Sequence, residues 1–322
     1  MSIPIQTPAR PAPVASAKEL EALLGRARYL ADPRVALVAW LALQLSRPLL
    51  LEGPAGVGKT DLARALAEAL GRTSIRLQCY EGLDEGKALY EWDYAKQMLY
   101  TQLLREAIAR EVAGTATLAE AASIVAKSEA TFFSKHFLIA RPLLFALESP
   151  RPVVLLIDEV DRADAEFEAF LLEVLSDFQV TIPELGTIKA DPDEPPLVFL
   201  TTNGTREMTE ALRRRCLHAF LDYPPPSREI AILGLTIPGI EAALAAQIVA
   251  FVAGLRALDL RKAPAISETI DWARAVLLLG KGALDKELVA STLGLLLKHQ
   301  GDKLDVEPKL DALLRSAIPQ VG

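Results

Sequence analysis

Pro48-Leu49-Leu50-Leu51-Glu52-Gly53-Pro54-Ala55-Gly56-Val57-Gly58-Lys59-Thr60 is the stretch on which the reading of this 322-residue chain turns. Its first part is a short unbroken apolar run stopped by a glycine, the form of a strand buried on both faces. Its second part satisfies G-x-x-x-x-G-K-[ST], and an Ala/Leu-rich helix, Asp61–Leu70, follows it, which is the strand–loop–helix context the motif requires. Glycines let such a loop curl until its backbone N–H groups face a triphosphate, and the helix N-terminus adds its positive dipole end. Lys59 is suited to the β- and γ-phosphate oxygens and Thr60 to Mg²⁺, so Gly53, Pro54, Ala55, Gly56, Val57, Gly58, Lys59 and Thr60 form a candidate ATP site. The bland alternative, a glycine-rich turn that matches by chance, does not account for the strand before and the helix after.

Outward from this loop, Ile75–Cys79, Val153–Ile157, Leu197–Thr201 and Leu217–Leu221 repeat the short apolar form, mostly at helix-length separations. Continuous rather than alternating apolar runs indicate a parallel sheet with both faces covered, so the expected fold is α/β with five strands between helices. Val153-Val154-Leu155-Leu156-Ile157 delivers Asp158-Glu159 at its carboxyl edge, where open α/β sheets place their ligands. Asp158 is suited to hold Mg²⁺ through water and Glu159 to polarise the attacking water as general base. An acid pair capping a strand-to-helix turn is the competing reading.

Residues 1–17 are rich in Pro and Ala, without the apolar run of a secretory signal, and read as a flexible tail. Apolar residues at helical spacing from Ala17 to Ser46, broken at Asp32-Pro33, predict two helices before the first strand. After Tyr223-Pro224-Pro225-Pro226 only helical periodicity remains, through Glu229–Leu235, Glu241–Leu258, Ser267–Leu279, Leu284–Lys298 and Pro308–Ala317. The expected organisation is therefore a tail over 1–17, a nucleotide-binding domain over 18–226 and an all-helical lid over 227–322. With 51% hydrophobic and 24% charged residues a disordered chain is excluded, and a net charge of −7 argues against coating nucleic acid or anionic lipid by bulk attraction. The longest uncharged apolar stretches, Val35–Ser46 and Ala242–Leu255, fall short of the roughly 18 residues that span a bilayer, so no membrane span is expected. Cys79 and Cys216 lie far apart without metal-ligand spacing and read as buried free thiols in a reducing cytoplasmic compartment. His136, His218 and His299 fit no metal or nucleophile pattern and read as structural.

The order of these motifs resembles that of an AAA+ ATPase and, within that class, the MoxR group. The resemblance covers most of Lys18–Gln300 and implies ATP with Mg²⁺, hydrolysis, and a homo-hexameric ring. It implies a polar sensor at the end of the fourth strand, where Leu197-Val198-Phe199-Leu200-Thr201-Thr202-Asn203 places Asn203. It implies an arginine finger before the fifth strand, where Ala211-Leu212-Arg213-Arg214-Arg215-Cys216 departs from the commoner Leu-Asp-Arg-Phe form; Arg214 or Arg215 is favoured over Arg213. In the lid, Ser267-Glu268-Thr269-Ile270-Asp271-Trp272-Ala273-Arg274 opens a helix where the family carries a second sensor arginine, which makes Arg274 either that sensor or a surface residue. Phe178–Pro183, a turn at Gly186 and Thr187–Lys189 resemble the pre-sensor hairpin of helix-2-insert members, and Leu83–Pro150 leaves room for the helix-2 insertion. That segment holds Tyr90, Trp92, Tyr94 and Tyr100 and an expected amphipathic helix near Lys96–Val112; its aromatics suit either core packing or a partner-gripping surface. Ile75–Glu85 and Phe167–Val180 are similar to the CoxD-type branch, which implies maturation of a molybdenum hydroxylase such as carbon monoxide dehydrogenase beside a von Willebrand factor A-domain partner.

The leading functional expectation is an ATP-driven remodeller that matures a metalloenzyme through protein partners, with no nucleic acid. The runner-up is a nucleic-acid motor or restriction-type subunit, since the same clade includes helicases; the acidic charge balance and the lack of an aromatic-plus-basic module weigh against it. A nucleotide switch that binds without hydrolysing is opposed by Glu159, Asn203 and the arginines.

Overall fold

Two sheet strands, Val153–Asp158 and Leu197–Thr202, are buried along their whole length, and their neighbours grow progressively more exposed toward the sheet edges. The computed structural model describes residues 14–113, 117, 120 and 133–318; residues 1–13, and with them most of the expected tail, lie outside the described residues. The described strands are β1 (Leu49–Glu52), β2 (Thr73–Gln78), β3 (Tyr90–Trp92), β4 (Leu138–Ala140), β5 (Val153–Asp158), β6 (Gln179–Ile182), β7 (Gly186–Lys189), β8 (Leu197–Thr202) and β9 (Leu217–Phe220). The main sheet is five-stranded and parallel, in the order β2-β5-β8-β1-β9. Ile75 pairs with Leu155 and Leu155 with Val198, which fixes the register of its first three strands. Full burial of both faces, expected of all five strands, holds for β5 and β8; β2 and β9 are edge strands and alternate buried with exposed residues.

The chain divides into two compact units. The first comprises Met1–Trp40, Leu51–Leu70 and Ala219–Gly322. In it, Ser16 accepts from the Glu19 amide at 3.2 Å and caps the helix Ala17–Arg26, while the Trp40 indole donates to the Val14 carbonyl at 3.0 Å. The last residues of the expected tail are thus packed and capped rather than free. The helices of the expected lid are Pro226–Thr236, Ala242–Arg256, Ile266–Leu278, Lys286–Leu296, Gln300–Val306 and Leu310–Ala317. They close a core around Leu233, Ile248, Phe251, Trp272, Val289 and Leu314. The Trp272 indole is satisfied by Thr292 at 2.8 Å, and buried Glu229 holds Arg256 in a two-pronged pair at 2.7 and 2.9 Å. Gln300–Val306 was not expected as a separate helix, because Gln300-Gly301-Asp302 interrupts the apolar period.

The second unit comprises Leu41–Leu50 and Gly71–His218. Between β2 and β5 it inserts the antiparallel pair β3–β4, with Tyr90 opposite Ala140 and Trp92 opposite Leu138. The helix expected near Lys96–Val112 runs from Tyr94 to Val112 but is not amphipathic. Tyr94, Met98, Leu99, Leu103 and Leu104 are exposed; at about 100° per residue they spread around the helix rather than along one stripe. The expected hairpin is present as β6–β7, with Val180 opposite Ile188, entered from the helix Ala165–Asp177 through Phe178 at φ 48°. No helix among the described residues is long and apolar enough to cross a membrane.

Candidate functional site

In the first unit, β1 runs into the phosphate-loop segment and the helix Lys59–Ala69 leaves it. Gly53 has φ 153°, and a Cβ there would lie 2.0 Å from the Leu221 carbonyl oxygen, so only glycine fits. Leu221 is held at that distance because its own amide donates to the Glu52 carbonyl at 2.8 Å. Gly56, at φ 77°, faces the lid: an added Cβ would come within 2.6 Å of Ala265 Cβ and of Ser267 Oγ. Gly58 opens the helix in a left-handed conformation and brings no side chain to cap its first turn, as a loop that offers backbone N–H groups to an anion requires. Lys59 is buried, its Nζ donating to the Gly53 and Pro54 carbonyls at 2.6 and 2.7 Å. An ammonium held against carbonyls of its own loop is poised to exchange them for phosphate oxygens, and these residues fit a bound triphosphate. Behind the loop, burial pushes the Tyr29 hydroxyl well above the usual tyrosine range, with Asp61 adding to the effect.

The lid reaches this loop through the start of the helix Ile266–Leu278, where the Ser267 amide donates to the Gly56 carbonyl at 3.3 Å. Glu268 accepts from the Ala265 amide at 3.1 Å, from Ser267 Oγ at 3.0 Å and from Lys262 at 3.4 Å. Burial raises its carboxyl, but Ser267 and Lys262 outweigh that and leave it below the ordinary value. Arg274 lies two turns further along, half exposed, and pairs with Asp271 at 3.4 Å. Ala265, Ser267 and Glu268, not Arg274, are the lid residues described against or beside the loop.

In the second unit, β5 brings Asp158 and Glu159 together with Asn203. Asp158 is 3% exposed; its Oδ1 accepts from Thr201 Oγ1 at 2.5 Å and its Oδ2 from Arg76 at 2.6 and 3.0 Å. Glu159 stands at φ 55°, an uncommon conformation for a residue with a side chain, and its amide donates to Thr201 Oγ1 at 2.9 Å. Its Oε1 accepts from Asn203 Nδ2 at 3.3 Å, and its Oε2 from Gln78 Nε2 at 2.9 Å and Arg162 at 3.0 Å. Asn203 is itself fixed, because its amide donates to Asp161 Oδ2 at 3.2 Å, alongside the Thr205 amide at 2.9 Å and Thr205 Oγ1 at 2.6 Å. Burial raises the Asp161 carboxyl, yet the donors from Thr205 and Asn203 more than offset it and hold it below the usual carboxylate range. Gln78, Arg76, Thr201 and Asp161 escaped the sequence reading; the polar Gln78 ending an apolar strand was the one local hint.

The arginines occupy the short helix Glu210–Arg215. Arg214 pairs with Glu210 on the same helix at 2.5 Å, whereas Arg215 is exposed and has no ion-pair partner among the described residues. The helix starts from Thr209, whose amide donates to fully buried Glu168 at 2.8 Å, and Glu168 also pairs with Arg206. His218 lies with Nε2 2.9 Å from the Arg213 carbonyl, a structural contact. Cys79 and Cys216 are free and buried, and burial pushes both thiols up to about 12.

A family model for the AAA domain (dynein-related subfamily) matches residues 48–216. Among solved structures, a point mutant of RuvB from Thermotoga maritima is 17% identical, with 89% of this chain and 72% of that chain covered at a TM-score of 0.46. A second, described as the Thermotoga maritima RuvB Holliday junction branch migration motor, is 16% identical over 89% of this chain and 73% of that one, at a TM-score of 0.43. No curated protein matches the chain.

Proposed function

This chain belongs to the AAA domain family, dynein-related subfamily, and from that premise we propose that it is an ATP-hydrolysing remodeller of the MoxR type, acting on a metalloenzyme under maturation. The observation that carries the ATPase part is the clasp on Glu159: Asn203 donates to one carboxylate oxygen and Gln78 to the other. A carboxylate held from both oxygens has a fixed orientation, as a general base toward an attacking water requires. Asn203, anchored through Asp161, orients that water; Lys59 and the phosphate-loop amides hold the β- and γ-phosphates. Thr60 and Asp158 are the residues that would hold magnesium, which would neutralise phosphate charge when bound. Arg76 and Thr201 already occupy both oxygens of Asp158, which supports an outer-sphere role for that acid.

Arg215 is proposed as the finger acting on the neighbouring subunit's nucleotide in a homo-hexameric ring, since Arg214 is engaged with Glu210. Exposed helix Tyr94–Val112, raised on the β3–β4 pair, is the proposed contact for a protein client or a von Willebrand factor A-domain partner. The CoxD-like strings at Ile75–Glu85 and Phe167–Val180 support a molybdenum hydroxylase as client, and two buried free thiols suit the cytoplasm.

The test is to recover a Glu159→Gln chain, which should hold ATP without hydrolysing it, from its native host. A metalloenzyme subunit enriched in its cofactor-poor form is the expected companion. ATPase stimulation by DNA, with no protein companion, would overturn the remodelling reading in favour of a nucleic-acid motor.

A further inference from the structure

We propose that Arg47 is a positioning residue for the arginine finger, locking the C-terminal end of the helix that carries it. The inference rests on the reading of Arg214 or Arg215 as a finger acting across a subunit interface. Arg47 stands in the loop between the helix Pro33–Leu45 and β1, 167 residues from Arg214. Its Nη2 donates to the Arg214 carbonyl at 2.9 Å and the Arg215 carbonyl at 3.0 Å, and its Nε donates to the Arg215 carbonyl at 3.3 Å. A third carbonyl, that of Cys216, lies 3.5 Å from Nη2. The final carbonyls of a helix have no partner within it and carry its negative dipole end, so a guanidinium fork is the matching group.

Backbone geometry explains how so distant a residue arrives there. Ser46 at φ 49° turns the chain out of the helix, and the Arg47 amide returns to the Ala42 carbonyl at 3.1 Å. Pro48 then confines Arg47 to extended backbone. The Leu217 amide donates to the Pro48 carbonyl at 2.8 Å, so the residue before β1 and the residues before β9 start side by side. The opposite end of the arginine helix is held just as firmly, by Glu168 on the Thr209 amide at 2.8 Å. A six-residue helix is thereby fastened at both ends while the Arg215 side chain is left in solvent.

Placing a fourth arginine beside Arg213, Arg214 and Arg215 costs like-charge repulsion, a poor choice if the loop needed only a helix cap. It is a sensible one if the segment must present its cations at a fixed point to an external polyanion. Displacing a catalytic group by about 1 Å can cost on the order of 10²-fold in rate, which sets the effect expected of removing the clamp.

The experiment uses the full-length chain in its assembled form. Arg47→Ala should lower kcat by about 10²-fold with the affinity for a fluorescent ATP analogue unchanged, and Arg47→Lys should restore part of the loss. Mixing Arg47→Ala with Glu159→Gln chains should recover activity, because the intact Glu159 of one subunit then meets the correctly held finger of the other. Mixing Arg47→Ala with Arg215→Ala chains should not. Should the alanine chain fail to fold, Arg47→Lys in the same mixtures decides the matter in the same way. A normal rate for the Arg47 variants while Arg214→Ala or Arg215→Ala is inactive, or a loss that Glu159→Gln chains do not complement, overturns the inference. Normal rates for both Arg214→Ala and Arg215→Ala would instead bring down the finger reading on which it stands.

Discussion

At the end of β5, Asp158 and Glu159 carry donors on all four carboxylate oxygens, whereas along the inserted helix Tyr94–Val112 five large apolar side chains stand in water. Both regions belong to one unit, yet they spend their residues in opposite ways. The acid edge satisfies its polar groups internally and gains fixed directions, as a reacting centre needs. The helix instead leaves large apolar side chains exposed, distributed around its circumference. The aromatics of the insertion divide along the same line. Trp92 is 8% exposed and packs edge-on against Tyr90 and Phe133, while Tyr94, two residues on, is 65% exposed.

The contrast breaks most visibly at Glu159. Glu159→Gln should reduce turnover by about 10²–10⁴-fold with nucleotide affinity retained. Steady-state ATPase beside an equilibrium titration checks this, and near-normal turnover would show that the clasped carboxylate is not the base. Next is Trp92→Ala, which should destabilise the insertion by about 3–5 kcal/mol through its buried ring. A melting temperature unchanged from wild type would mean that Trp92 is surface rather than core. Asp161→Ala comes third, at about 2–3 kcal/mol, because the Thr205 and Asn203 donors would be left without their charged acceptor. Since the folded carboxyl of Asp161 lies below its unfolded value, its stabilisation is full above about pH 3.9 and is lost as pH falls through the lower, folded pKa. Asp161→Asn should therefore flatten the acid limb of the stability curve, measured by denaturant titration across pH. The smallest effect belongs to the helix: Tyr94→Ser with Leu103→Ser should shift stability by no more than about 0.5 kcal/mol and leave basal ATPase intact. Client-stimulated ATPase should fall, and an unaltered stimulation would remove the helix from the partner surface.

The sheet and the phosphate loop were legible in the sequence because each is dictated locally, by an apolar run and by glycines at fixed spacing. Glu159 and Asn203 were legible because each terminates such a run. Gln78, Arg76 and Arg47 were not, since each acts on residues 81 to 169 positions away and nothing beside it in the chain announces the partner. The inserted helix was legible as a helix but misjudged as amphipathic: counting apolar residues at near-helical intervals does not establish that they share a face. Arg274 occupies the expected helix, but the residues that meet the phosphate loop are set by where that helix begins, at Ala265 and Ser267, a boundary that periodicity alone locates loosely.

Gly53 and Gly56 touch two separate parts of the chain that follow β9, one at Leu221 and the other at the start of the helix Ile266–Leu278, with clearances smaller than a methyl group. The phosphate loop therefore works as a feeler gauge as well as a cradle. A shift of its backbone by a fraction of an ångström toward either neighbour presses on Leu221 at Gly53 or on Ala265 and Ser267 at Gly56. A Gly56→Ala chain would in this sense be a protein with a wedge driven between its phosphate loop and the start of that helix.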